Sequence, residues 1–410
     1  MRVAIATSSF LLGGGISAYN QELCRALLEA GCEVLVASSE LVDGRLTLDS
    51  GGSVCTVRVR VPESPGDDAL AAKILFGQIV EFDPDILVSS ANGYLSSLFP
   101  YFAERRVRIS ISHFYNGFLA LVAARTPADT DWIVALSEAG RGFLLTLPGV
   151  ADDEVQVVYN AVADDGRDVG LLIDEKSRQR RLSIVYPGGA AGHKAPDVVL
   201  QVVRLLAATD LEWQLTWLGE PAWLPGYVCR AARSRTVFTG SVPRTESQEH
   251  IRRAQCLLLP SRGEGCPMSL LEAMRSGTVP FVSSCPSAMR ELVVEGICGF
   301  VAPVGGAMAI VSKMLYFSRS VQMRRELMWG ARTVFEQKLR TEAWTSTMLG
   351  LMCRRRTTRA AGGDSDRLDT TIEFHWQDRR GSLLKPNLEF VKDRWAYIMH
   401  RCRCVLRRVR

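Results

Sequence analysis

Short apolar runs alternate with stretches of helical periodicity along most of the chain. In the first part, apolar runs of strand length occupy residues 2–6, 33–37, 83–90, 108–113, 133–137 and 155–160. The first intervening helix is predicted at residues 16–30, where Gly31 ends it. Strands that alternate with helices are typical of a doubly wound parallel sheet. The pattern therefore predicts an α/β domain over residues 1–165.

The same alternation begins again at residue 182. Predicted strands occupy residues 182–186, 214–219, 236–240, 256–259, 279–283 and 299–303. Residues 166–181 are polar and rich in Asp, Arg and Lys, which predicts an interdomain linker with a short helix at 170–176. We therefore predict a second Rossmann-like α/β domain over residues 182–353.

The C-terminal extension, residues 354–410, has a different pattern. Residues 354–382 are polar and charged, which predicts a flexible connector. In the last twenty residues, apolar side chains recur at helical spacing between arginines; they are Trp395, Ile398, Met399, Cys402, Val405, Leu406 and Val409. This spacing predicts a basic amphipathic helix.

The charge distribution and the cysteines indicate which kinds of ligand and which redox environment the sequence favours. The net charge is +5, but residues 353–410 contain 15 Lys/Arg and 7 Asp/Glu, so the tail carries +8 and the body −3. A slightly acidic body without a recognised module argues against nucleic-acid binding. The eleven cysteines lie in apolar runs without zinc-site spacing, which is typical of a reducing cytoplasm. No apolar run reaches the roughly 18 residues that span a membrane.

The clearest candidate chemistry lies on a predicted strand, turn and helix over residues 256–277. The apolar strand ends at Pro260, glycines form the turn, and the helix begins at Pro267. Glu264 lies on the turn and Glu272 lies inside the helix, eight positions later. Both carboxylates can therefore border one crevice at the carboxyl end of the strand.

The same turn leaves backbone amides unpaired at the start of the helix, at Gly265, Cys266, Met268 and Ser269. Amides at the positive end of a helix favour a phosphate, and flanking carboxylates favour sugar hydroxyls. The combination predicts a ligand that contains both groups, and a nucleotide-sugar is one such ligand.

The motif Pro-Ser-x-x-Glu-Gly, followed by Leu-Leu-Glu-Ala-Met-x-x-Gly, closely resembles the donor-site signature of glycosyltransferase family 4. That family contains retaining enzymes of the GT-B fold, in which two α/β domains face a central cleft. The resemblance implies that Glu264 contacts the donor sugar and Glu272 the nucleotide ribose, and that Leu270 also borders the donor. It spans roughly residues 1–350 and is strongest over 236–303. It also implies a helix near residues 342–353 that returns to the first domain.

A second loop resembles the family's diphosphate-binding segment, Gly-Arg-x-x-x-x-Lys-Gly. Gly188 and Lys194 match that segment with the right spacing. An ammonium group on a glycine-rich loop can neutralise a diphosphate and stabilise the departing nucleotide. Lys194 is therefore a predicted catalytic residue, although a solvated loop lysine is the alternative.

This loop also departs from the family pattern. Gly189 replaces the arginine and Ala195 the second glycine, and Ala161 stands where a hinge glycine is usual. The missing arginine weakens catalysis unless another cation substitutes for it. His193 and Arg262 are the nearest candidates in the sequence.

Two features of the first domain resemble the family less specifically. Gly13, Gly14 and Gly15 resemble its glycine-rich loop, which can approach a phosphate or an acceptor; a tight turn without a ligand is the alternative. His113 ends a predicted strand, where the family commonly has a histidine that faces the donor sugar. A structural histidine is the alternative interpretation.

The predicted activity is transfer of a hexose-type sugar, with retention, from a nucleotide-diphosphate sugar to a glycan or lipid-linked acceptor in cell-surface polysaccharide biosynthesis. His113, Glu264 and Lys194 are the predicted catalytic residues. The altered phosphate loop keeps two alternatives open: a binding or scaffold protein of the same fold, and a sugar-nucleotide epimerase.

We expect no metal or other cofactor. Asp364-Ser-Asp366 resembles the metal motif of another glycosyltransferase fold, but it lies in the predicted connector rather than at a strand end. The expected location is the cytoplasm. Residues 390–410 are predicted either to lie on the anionic inner face of the membrane or to pack on the first domain.

Overall fold

The computed structural model describes residues 1–11, 14–48, 51–59, 68–115, 117–220, 224–355 and 366. Within these ranges, it contains two α/β domains, each built on its own sheet. Gly13 and the predicted amphipathic helix at 390–410 lie outside the described residues.

The first domain contains strands β1 (Arg2–Thr7), β2 (Glu33–Ser38), β3 (Gly44–Thr47), β4 (Ser53–Arg58), β5 (Ile86–Ser90), β6 (Val107–Ser112), β7 (Trp132–Ala135) and β8 (Val155–Val157). Its helices are α1 (Gly14–Glu29), α2 (Asp68–Phe82), α3 (Gly93–Leu98), α4 (Phe118–Ala123) and α5 (Glu138–Leu144). The sheet order is β3-β4-β2-β1-β5-β6-β7-β8, and the antiparallel pair is β3 with β4. The sequence pattern did not predict this pair, because β3 is a short, mostly exposed edge strand without an apolar run.

The second domain contains strands β9 (Leu182–Tyr186), β10 (Trp213–Leu218), β11 (Thr236–Gly240), β12 (Cys256–Leu259), β13 (Val279–Ser283) and β14 (Phe300–Ala302). Its helices are α6 (Val169–Arg178), α7 (Pro196–Leu206), α8 (Arg244–Arg253), α9 (Met268–Arg275), α10 (Ala288–Leu292), α11 (Ala307–Ser318) and α12 (Val321–Lys338). The strand order β11-β10-β9-β12-β13-β14 is parallel throughout. The predicted doubly wound architecture is therefore confirmed in both domains.

Strand order reverses direction beside β9, because β10 and β11 lie on one side of it and β12 to β14 on the other. Such a switch point opens a crevice at the carboxyl ends of the strands. Every residue of β12 is buried, as expected for a central parallel strand covered on both faces. The fold therefore directs the loops after β9 and β12 into one crevice.

The chain returns to the first domain through a last helix, α13 (Thr341–Met352). The Trp344 ring lies edge-on to Tyr19 of α1, with centroids 5.7 Å apart. Just beyond the helix, Trp132 Nε1 donates a hydrogen bond of 2.7 Å to the Arg354 carbonyl. The predicted returning helix is confirmed.

The predicted linker is largely helical, because α6 occupies ten of its residues. The Asp168 side chain caps the start of α6 by accepting from the Leu171 amide at 3.2 Å. Ile173 is fully buried in the apolar core of the second domain. Helix α6 therefore belongs structurally to that domain, and its polar composition reflects an exposed outer face.

Parts of the predicted connector also make specific contacts. Asp366 Oδ1 accepts from the Ala103 amide at 2.6 Å and from Arg106 Nε at 2.9 Å. Asp366 is therefore an ion-pair partner of a buried arginine in this structure. In the part of the chain that the structure describes, no helix is long and apolar enough to cross a membrane.

Candidate functional site

The loops that follow β9 and β12 meet at the switch point of the second sheet. Lys194 Nζ, from the first loop, lies 3.3 Å from Glu264 Oε1, from the second. Glu264 is 7% exposed and also accepts a 2.9 Å hydrogen bond from Ser261 Oγ. The structure thus joins residues from two separate motifs in one largely buried ion pair.

Glu272 lies on α9 and is 6% exposed. Its Oε1 atom accepts from Gln248 Nε2 at 2.9 Å and from Arg244 Nη2 at 3.4 Å. Both donors belong to α8, which the sequence analysis did not assign to the site. The available signal was their position in the helix directly after Gly240, where β11 ends.

Backbone amides are available at the start of α9. The amides of Gly265, Cys266, Met268 and Ser269 have no acceptor in a backbone or side chain of the described residues. In contrast, the Leu270 amide donates to the Pro267 carbonyl at 3.0 Å, and the Leu270 side chain is fully buried. The amide of Leu270 is therefore already paired and its side chain packs in the core, and the predicted donor contact at Leu270 stays a prediction.

His113 directly follows β6 and lies at the domain boundary. Its Nε2 atom is 2.7 Å from Ser90 Oγ, and its ring meets Tyr19 edge-on at 4.9 Å. Burial lowers the pKa of His113 to about 3, so the imidazole is neutral near pH 7. A Cβ on Gly265 would lie 2.2 Å from the His113 carbonyl oxygen, so a glycine is required for this close approach.

The lowered pKa of His113 predicts that the stability of the protein depends on pH. Its folded pKa of about 3 lies below the ordinary value, so the unfolded chain binds the proton first. The contribution of His113 to the free energy of unfolding is then complete above about pH 6.5. It falls by up to about 1.4 kcal/mol per pH unit as the pH drops toward 3. Urea unfolding of His113→Gln at several pH values should lack this component. His250→Gln, at a half-buried position on α8, serves as the control, and a pH dependence equal to wild type in His113→Gln would contradict the assignment.

The two domains are held together around this crevice. Glu291 of α10 accepts from the Glu138 and Ala139 amides, each at 3.0 Å, and from the Tyr159 hydroxyl at 2.9 Å. Nearby, Asn160 Nδ2 donates to the Cys266 carbonyl at 2.5 Å. These bonds place the first domain directly against the turn that carries Glu264.

The altered phosphate loop has a steric explanation. Gly189 has φ +50°, and a Cβ there would lie 3.0 Å from the Glu220 carbonyl oxygen, so a side chain is disfavoured on both counts. At Gly188, a Cβ would lie 2.1 Å from the Tyr186 hydroxyl. This loop therefore packs too tightly to accept the family's arginine at position 189.

Both candidate replacements for the missing arginine, Arg262 and His193, have a reduced ability to neutralise a diphosphate in this structure. Arg262 donates to both carboxylate oxygens of Asp197, at 2.9 and 2.6 Å, so its charge is balanced. Burial lowers the pKa of His193, which favours its neutral form. In this geometry, Lys194 is therefore the phosphate-loop cation that borders Glu264.

The glycine-rich loop of the first domain is only partly described. Helix α1 begins at Gly14, two residues earlier than predicted, and Gly14 has φ +88°. A Cβ on Gly14 or Gly15 would meet no atom of the described residues within 4 Å. The open space is compatible with a ligand, and the ligand role of this loop stays a prediction.

Over the described ranges, no group of three or more His, Cys, Asp or Glu side chains is placed to hold a metal ion. The expected independence from metal stays a prediction.

Comparison with known protein families identifies both domains. The family model Glycosyltransferase Family 4 matches residues 13–165, and the model Glycosyl transferases group 1 matches residues 181–319. The lipopolysaccharide 1,6-galactosyltransferase of Salmonella typhimurium is 30% identical over 159 residues, which are 37% of this chain and 42% of that protein. The amylovoran biosynthesis glycosyltransferase AmsK of Erwinia amylovora is 36% identical over 88 residues, 20% of this chain and 21% of that protein. These matches therefore span less than half of the length of either relative.

Solved structures resemble the chain over both domains. Anabaena Alr3699/HepE in complex with UDP has a TM-score of 0.68 at 15% identity, covering 85% of this chain and 99% of that protein. Sucrose-phosphate synthase from Thermosynechococcus elongatus has a TM-score of 0.70 at 14% identity, covering 86% and 98%. At such low identity, these likenesses establish the fold. Because the two family models match the two domains in their order along this fold, the chain belongs to the family 4, group 1 glycosyltransferases with the GT-B fold.

Proposed function

We propose that this protein is a retaining glycosyltransferase that moves a hexose-type sugar from a nucleotide-diphosphate donor to a glycan or lipid-linked acceptor. The observation that carries this proposal is the ion pair of Lys194 and Glu264, 3.3 Å apart, beside amides at the start of α9 that have no acceptor among the described residues. A cation and amides suit a diphosphate, and a carboxylate suits sugar hydroxyls. The curated relatives named for lipopolysaccharide and amylovoran synthesis support a role in cell-surface polysaccharide biosynthesis.

Each residue of the site has a distinct task in the proposed reaction. Donor cleavage breaks the bond between the anomeric carbon and the diphosphate oxygen, and negative charge develops on the diphosphate. The acceptor hydroxyl oxygen forms the new bond to that carbon on the same face, and its proton passes to the departing diphosphate. Lys194 and the amides of Gly265 and Cys266 stabilise that charge. Glu264 accepts from hydroxyls of the donor sugar, and His113 offers a neutral imidazole at the same boundary. Glu272 accepts from the ribose and holds the nucleotide in place.

The tight packing at Gly189 favours one alternative function. Because the phosphate loop lacks the second cation, the chain could bind a nucleotide-sugar without turning it over and act as a scaffold in polysaccharide assembly. The epimerase alternative gains no support from the described site.

Incubation of the purified full-length chain and a membrane extract with radiolabelled nucleotide-sugars tests the proposal. We expect incorporation of label from one donor together with release of its nucleoside diphosphate. Absence of both transfer and nucleotide binding would refute it. Nucleotide binding without turnover, unchanged in Glu264→Ala and Lys194→Ala, would favour the scaffold function.

The place of the reaction is a further part of the proposal. A cytoplasmic protein with residues 390–410 on an anionic membrane surface would reach a lipid-linked acceptor. Those residues lie outside the described structure, so the sequence pattern of apolar and arginine residues supports this part.

A further inference from the structure

Two side chains of α8 hold the buried carboxylate of Glu272. Gln248 Nε2 lies 2.9 Å and Arg244 Nη2 lies 3.4 Å from the same oxygen, Oε1. Arg244 and Gln248 are four residues apart, so they lie on the same face of α8. That face is turned toward α9, where Glu272 is 6% exposed.

Three other charged residues of α8 belong to a separate ion-pair cluster. Glu249 pairs with Arg252 and Arg253 on the same helix, and with Arg167 of the interdomain segment. This ion-pair cluster does not include Gln248, whose amide nitrogen donates to Glu272. Gln248 is thus directed at the site rather than at the surface network.

The contacts of Glu272 are asymmetric. A carboxylate has about four acceptor positions over its two oxygens. Both α8 side chains donate to Oε1 of Glu272. These two bonds orient the carboxylate and direct the acceptor positions of Oε2 toward a different donor. Gln248 is neutral, so it fixes the orientation without adding charge, and the longer contact with the Arg244 guanidinium at 3.4 Å balances part of the carboxylate charge. A carboxylate fixed in this way is a selective acceptor for a hydroxyl group.

We infer that Gln248 and Arg244 are positioning residues that aim Glu272 Oε2 at a ribose hydroxyl, so that the site prefers ribonucleotides to 2′-deoxyribonucleotides. The inference rests on the proposed function and adds a specificity mechanism to it. A site built to pair with a hydroxyl rejects an analogue that lacks it, because a buried polar group then loses its partner. The preference therefore depends on how firmly Glu272 is held.

Calorimetric titration of the full-length protein with ADP, GDP and UDP first selects the nucleotide that binds most tightly. The 2′-deoxy form of that nucleotide is then titrated. For the wild type, we expect binding of the deoxy form to be at least about tenfold weaker. Gln248→Leu should reduce that ratio at least about threefold, and Gln248→Leu with Arg244→Ala should bring it near one. Arg244→Lys should keep the wild-type ratio, because an ammonium group can still donate to Oε1.

Gln322→Leu is the matched control, because it removes a 2.7 Å amide–carboxylate hydrogen bond to Glu326 on the surface of α12. Thermal unfolding checks each variant, and Arg244→Ala alone replaces Gln248→Leu if the latter does not fold. A wild-type ratio near one, or a ratio unchanged in the α8 variants, overturns the inference while the proposed function stands. Absence of nucleotide binding by the wild type would overturn both.

Discussion

Replacement of Lys194 with alanine is expected to lower kcat for glycosyl transfer by about 10²–10³-fold, the effect typical of losing one preorganised group that stabilises transition-state charge. The loss should exceed any rise in KM, because negative charge on the leaving diphosphate is greatest in the transition state. The variant also leaves Glu264 without the ammonium that lies 3.3 Å from its Oε1 atom. Steady-state kinetics with the donor found in the transfer assay provide the measurement.

Lys313→Ala is the matched control for this variant. Lys313 also pairs with a glutamate, Glu295, in the second domain, and its side chain is exposed to a similar degree, 27% against 22% for Lys194. We expect its kcat to stay close to wild type. A Lys194→Ala variant with the activity of Lys313→Ala would show that the phosphate loop does not take part in catalysis.

Replacement of Lys176 with methionine is expected to destabilise the protein by about 1–3 kcal/mol. Lys176 is almost fully buried, and its Nζ donates to the Arg252 carbonyl at 3.1 Å, the Ser276 carbonyl at 2.8 Å and Thr278 Oγ1 at 3.0 Å. Methionine keeps much of the apolar volume and leaves these acceptors without their donor. The Arg252 and Ser276 carbonyls lie at the C-terminal ends of α8 and α9, so Lys176 joins α6 to these two helices of the site. Urea unfolding at pH 7 measures the change.

Arg178→Met provides the comparison, because Arg178 is an exposed cation near the end of the same helix. Its free energy of unfolding should stay within about 0.5 kcal/mol of wild type. Equal stability of the Lys176 and Arg178 variants would mean that the buried ammonium contributes little.

Much of the second sheet follows from local sequence. Strands β9, β11, β12 and β13 begin and end at the predicted residues. For β9, β12 and β13, the physical reason is that buried parallel strands need apolar residues on both faces, so they appear as short continuous runs bounded by polar residues, Gly or Pro. Edge strand β3 lacks such a run, because most of it faces solvent, and it was not predicted.

The central motif is also largely local. Glu264 and Glu272 belong to one strand–turn–helix unit, so their spacing in sequence determines their placement relative to the helix start. Helix α9 ends at Arg275, and Gly277 follows it with a φ of +63°, which suits glycine; the amide of Thr278 then closes the turn onto the Ala273 carbonyl. The sequence predicted that Gly277 ends this helix.

By itself, the sequence determined most of the elements, their parallel class and the candidate residues of the site. Only the tertiary structure decided that Lys194 meets Glu264, that Gln248 holds Glu272 and that Glu291 binds the first domain. These contacts join residues from different elements, so they depend on strand order, helix orientation and side-chain direction. A local pattern contains none of that information, because it records which face a residue occupies and not which element packs against that face.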